Sequence, residues 1–134
     1  MASGSIRSAL LRQEVGQLRR RETRRVFDPM IYVGVLGGAR ESFVIRAGDV
    51  PTIDWALRTE VISSLLEDCV LATAGWLTRA GEPEVYDSDL AWLAAGTIAF
   101  DMHGRDLDTF HVITRYGWRD VRGGACKTWR RLRL

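Results

Sequence analysis

The chain has 134 residues, 46% of them hydrophobic and 27% charged, which fits one globular domain and excludes a disordered chain. No apolar run reaches the roughly 18 residues that a membrane span needs, and Met1 to Ser5 lead into arginines, not a hydrophobic signal core. A cytoplasmic, membrane-free protein is the expectation. The formal charge of +2 conceals segregation: residues 1–26 carry +5, residues 27–114 carry −9 and residues 115–134 carry +6.

The cations are 18 arginines and Lys127. GC-rich codons explain a preference for arginine, but not its concentration at the two ends. Cys69 and Cys126 match neither a zinc spacing nor a disulfide framework; Cys69 reads as a buried free thiol.

Residues 5–26 predict a basic amphipathic helix. Ile6, Leu10, Leu11, Val15 and Leu18 recur at three-and-four spacing, with Gly16 as a weak point. Phe27-Asp28-Pro29 ends it, because proline disfavours helix at the residue before it. Met30 to Leu36 is a β-branched apolar run, hence a strand. Gly37 to Arg40 turns the chain, and Ser42 to Arg46 predicts the second strand of a hairpin. After a loop over 47–51, with Thr52 as N-cap, Ile53, Leu57, Val61 and Leu65 mark a helix ending near Asp68.

Cys69 to Leu77 has the length of a strand, and Thr78 to Pro83 is a turn cluster. Asp87 or Ser88 caps a largely apolar helix over 89–102, stopped by His103 and Gly104. Thr109 to Thr114 predicts the last strand, followed by an arginine- and tryptophan-rich stretch of little periodicity. The expected fold is α/β: a mixed sheet of about four strands, built from an N-terminal hairpin and a parallel βαβ unit. The expected organisation is a basic helix or arm at 1–28, a core at 29–115 and a basic aromatic tail at 116–134.

Two stretches repeat one pattern. Trp76-Leu77-Thr78-Arg79-Ala80-Gly81 and Val112-Ile113-Thr114-Arg115-Tyr116-Gly117 both read apolar–apolar–Thr–Arg–x–Gly. Parallel strands would carry both to one sheet edge, where open α/β sheets bind ligands. Thr78, Arg79, Thr114 and Arg115, with Arg40 from the hairpin turn, are therefore candidates for an anion-binding edge of guanidinium forks. The alternative is that arginine and glycine are simply common where strands exit into turns. Trp118 and Arg119 join the candidates, because a tail interleaving aromatics with arginines suits stacking on bases or docking in a protein groove.

Asp101, His103, Asp106, Asp108 and His111 form a second cluster of metal-ligand types, but their spacing matches no established pattern. No catalytic motif stands out either: Gly34-x-x-Gly37-Gly38 lacks the spacing of a phosphate loop. No cofactor and no metal are expected. The leading expectation is a non-enzymatic binding or assembly protein, whose acidic body docks basic arms from itself or a partner subunit. A nucleic-acid-binding module is the first alternative. A small enzyme acting on a phosphate-bearing substrate is the second.

Overall fold

A computed structural model describes residues 2–48 and 53–129. Among them, α-helices and β-strands follow in chain order: α1 (Ala2–Arg21), β1 (Met30–Gly34), β2 (Arg40–Val44), α2 (Trp55–Asp68), β3 (Ala74–Thr78), α3 (Asp87–Met102), β4 (Thr109–Thr114), β5 (Gly117–Asp120) and β6 (Cys126–Thr128). The strands form one sheet in the order β2-β1-β3-β4-β5-β6. Only β3 and β4 run parallel, joined by α3; every other pairing is antiparallel.

The α/β class, the N-terminal hairpin and the parallel β3–α3–β4 unit match the expectation. The strand count does not: the described residues form six, not about four. The extra two, β5 and β6, lie in the stretch read as a tail. At four and three residues they are too short to show a period. β3 is also shorter than expected. Cys69 to Thr73 form a connection in which Arg105 donates to the carbonyls of Leu66, Cys69 and Ala72. That guanidinium satisfies the end of α2, which therefore turns before the strand begins.

Thr52 lies outside the described residues. The N-cap of α2 is Asp54, whose carboxylate accepts from the Leu57 amide at 2.8 Å. At the start of α3, Asp89 accepts from the Tyr86 amide at 2.8 Å. His103 ends α3 as expected, its Nε2 lying 2.8 Å from Ser63 Oγ, and Gly104 follows at φ +65°.

Alternation along the strands builds a core on each face. On one face Ile31, Val33, Leu77, Phe110 and Val112 pack with Ile62 and Leu66 of α2 and with Trp92 and Phe100 of α3. On the other, Tyr32, Trp76, Ile113 and Trp118 meet Leu11, Val15 and Leu18 of α1. Each of these α1 side chains contributes roughly 1.5–3 kcal/mol on burial. Gly16 lies on this buried side, whereas Ile6 stands 59% exposed and takes no part. Among the described residues, no helix is long and apolar enough to cross a membrane.

Candidate functional site

β3 and β4 do place their carboxyl ends on one edge. However, the ladder pairs Thr78 with Ile113, not with Thr114. The two Thr-Arg repeats are thus one residue out of step, and a one-residue offset sends side chains to opposite faces. Thr78 points towards α1 and Thr114 away from it. Arg40 lies at the other end of the sheet, because it and Ala74 both pair with Gly34. The candidate edge residues therefore do not gather around one point.

Their contacts separate them further. Arg79 is 5% exposed and its guanidinium is enclosed. Nε and Nη2 donate to the Asp89 carboxylate at 2.9 and 2.8 Å, and the remaining donors reach the carbonyls of Ala80, Glu82 and Glu84. The Tyr86 ring closes it off, with the guanidinium carbon 3.7 Å from the ring centroid. Arg79 organises the β3–α3 loop and presents no fork to an outside anion. Arg119 donates to the carbonyls of Pro83 and Gly124, tying β5 to that same loop. Thr114 Oγ1 accepts from the Tyr116 amide.

Arg40 pairs with the buried Glu14 of α1 and caps the stacked rings of Tyr32 and Trp76. Thr78 Oγ1 and Arg115 Nε are buried with no hydrogen-bond partner among the described residues. So are Trp76 Nε1, Trp118 Nε1, His111 Nδ1 and Arg19 Nη1, which leaves several polar atoms unsatisfied beneath and beside α1.

Of the candidate residues, Trp118 is the one that lines a wide cleft beside α1. α1 and the β5–β6 hairpin enclose about 680 Å³ between Ser8, Ala9, Arg12, Gln13, Arg20, Trp118, Lys127 and Trp129. Among the described residues, three cations, two indoles, an amide, a hydroxyl and Ala9 line it, and no carboxylate does. A Cβ on Gly117 would fall 2.0 Å from the Lys127 carbonyl oxygen, so only glycine lets β6 lie this close to β5. That approach sets Lys127 beside Trp118 in the ladder, while the Trp129 amide donates to the Tyr116 carbonyl at 2.8 Å. Behind Trp118, His111 meets the indole edge-on at 5.7 Å between ring centroids.

Burial pushes the His111 imidazole down to about 4. Asp120 opposes that shift, and Arg7 and Arg122 add to it. His111 is therefore neutral at physiological pH. The other residues of the acid and histidine cluster are dispersed: Asp101, Asp106 and Asp108 are exposed, and His103 faces Ser63. Among the described residues, no group of three or more such side chains is placed to hold a metal ion.

Arg20, Lys127 and Trp129 carry no local signature. They meet only because the sheet order places β5 and β6 beside α1. The segregated charge was the visible sign, and the fold turns two basic ends into one wall-to-wall cleft. Comparison with family models, curated proteins and solved structures finds no match.

Proposed function

We propose that this chain is a non-enzymatic binding protein whose cleft between α1 and the β5–β6 hairpin engages a polyanion, with nucleic acid as the partner. The supporting observation is the lining, in which Arg12, Arg20 and Lys127 surround two indoles with no carboxylate among the described residues that line it. Cations so placed displace condensed counterions from phosphates, which makes binding favourable and salt-dependent. The ion pair of Glu14 and Arg40 joins α1 to the sheet with the carboxylate on the helix and the guanidinium on the sheet.

Titrating labelled nucleic acid at several salt concentrations tests the reading. Affinity should fall steadily with salt, and Arg20→Glu/Lys127→Glu should abolish it while the fold persists by circular dichroism. Salt-independent binding, or binding indifferent to that double change, refutes it.

One observation favours a second reading, assembly. Across the sheet from the cleft, α2, α3 and the β3–α3 loop expose Glu60, Glu67, Asp68, Glu82, Glu84, Asp87 and Asp101. Faces of opposite sign allow one copy's basic face to dock on the next copy's acidic body, a head-to-tail arrangement. Sedimentation would then show mass rising with protein concentration and falling with salt. A constant monomer mass excludes it.

A further inference from the structure

We infer that the strand bound in this cleft is single-stranded, with an unpaired base stacked on Trp129 and backbone phosphates on Arg20 and Lys127. The inference rests on the polyanion reading above and narrows its ligand. Cations alone accept any polyanion, duplex or single strand. The indoles discriminate.

Trp129 is half-buried, held by its own amide at the mouth of the hairpin, and Trp118 forms the cleft wall beside it. In a duplex the bases are stacked on one another and turn only their edges to the grooves, so no base face reaches an indole. A single strand can splay a base out onto an aromatic ring while its phosphates follow a basic groove. The remaining lining suits such a ligand, since the Gln13 amide and the Ser8 hydroxyl can donate to and accept from a base edge. It suits an acidic protein segment less well. Apart from the indoles, Ala9 is the sole apolar side chain that the described residues bring to the lining, too little for the buried apolar centre of a protein interface. Arg20 and Lys127 are exposed, and neither side chain makes a hydrogen bond or ion pair among the described residues.

The test uses the full chain and four fluorescent probes: an oligo-dT, a DNA duplex of equal length, a sulfated polysaccharide that has charge but no bases, and polyglutamate. Anisotropy should show oligo-dT binding about ten-fold or more tighter than the duplex, the worth of roughly one stacked base. Trp129→Ala should remove that preference, and Trp129→Phe should keep most of it. Lys127→Ala should lower the slope of log affinity against log salt by roughly 0.7, one single-strand phosphate contact. Circular dichroism establishes that each variant is folded.

Suppose the duplex and the polysaccharide bind as tightly as oligo-dT, and Trp129→Ala moves none of them. The single-strand inference then fails, while the polyanion reading stands. If no probe binds, both fail. Capture of polyglutamate in preference to oligo-dT also overturns the inference, in favour of an acidic protein partner.

Discussion

Arg40 holds Glu14 through two hydrogen bonds of 2.6 Å each, and this pair fastens α1 to the edge of the sheet. Glu14 is 5% exposed, and the Arg40 guanidinium carbon lies 4.9 Å from the Trp76 ring centroid. Removing the arginine would leave a buried carboxylate without its partner, whereas removing both charges would not. Arg40→Met should therefore destabilise the protein by about 2–4 kcal/mol, the lower part of that range reflecting the partial exposure of Arg40. Glu14→Gln combined with Arg40→Met should recover part of the loss. Urea unfolding of the two variants measures both. Equal losses would mean that the unpaired Glu14 carboxylate is not what destabilises Arg40→Met.

This pair shows what the sequence conceals. The apolar stripe of α1 was legible from the spacing of Leu11, Val15 and Leu18, and so was the parallel β3–α3–β4 unit. The docking contact was not, because Glu14 is one of two acids in a strongly basic segment and its partner lies 26 residues away. Charge counting points to attraction between a basic arm and an acidic body, which gives no reason to look for a carboxylate on the arm and its arginine on the sheet. The Thr-Arg repeat misled for a related reason. Sequence shows that two strands end alike, but register decides whether the like residues stand side by side, and here they are one residue apart. The cleft was half visible: Trp118 stood out, while Lys127 and Trp129 depended on β5 and β6, strands too short to declare themselves.

Arg79 and Asp89 offer a sharper stability test. Asp89 has no exposed surface and Arg79 almost none, and the guanidinium serves three backbone carbonyls besides the carboxylate. Lysine keeps the charge but not the planar fork. Arg79→Lys should cost about 3–5 kcal/mol, close to the loss expected when a buried pair is broken outright. Thermal unfolding followed by circular dichroism reads this directly. A variant of unchanged stability would show that the loop does not depend on the guanidinium geometry.

His111 makes stability depend on pH in one direction. Its folded value, about 4, lies below the 6.5 of an unperturbed imidazole, so the unfolded chain takes up the proton first. The stability associated with neutral His111 is fully present above about pH 6.5. It falls as pH drops from there towards 4, and below that this residue adds no further loss. The full difference is on the order of 3 kcal/mol. Urea unfolding across that window should show the decline, and His111→Phe should flatten it. A slope that persists undiminished in His111→Phe would assign the effect to other groups.

Thr78 points to a stabilising change. Its side chain is 3% exposed, faces α1, and carries a hydroxyl without a hydrogen-bond partner among the described residues. An unsatisfied buried polar group costs about 1–3 kcal/mol, whereas valine has nearly the same shape, favours strands and carries no such group. Thr78→Val should raise stability by about 1 kcal/mol, seen as a higher urea midpoint with an unchanged slope. The same variant probes the carboxyl edge of the sheet. If the hydroxyl serves a bound anion there, Thr78→Val should weaken binding of inorganic phosphate or oligo-dT. If it serves only the interior, stability should rise and binding should stay as it was. The cleft lining favours the second outcome, since Trp118, Lys127 and Trp129 border the space while Thr78 lies on the sheet beneath α1.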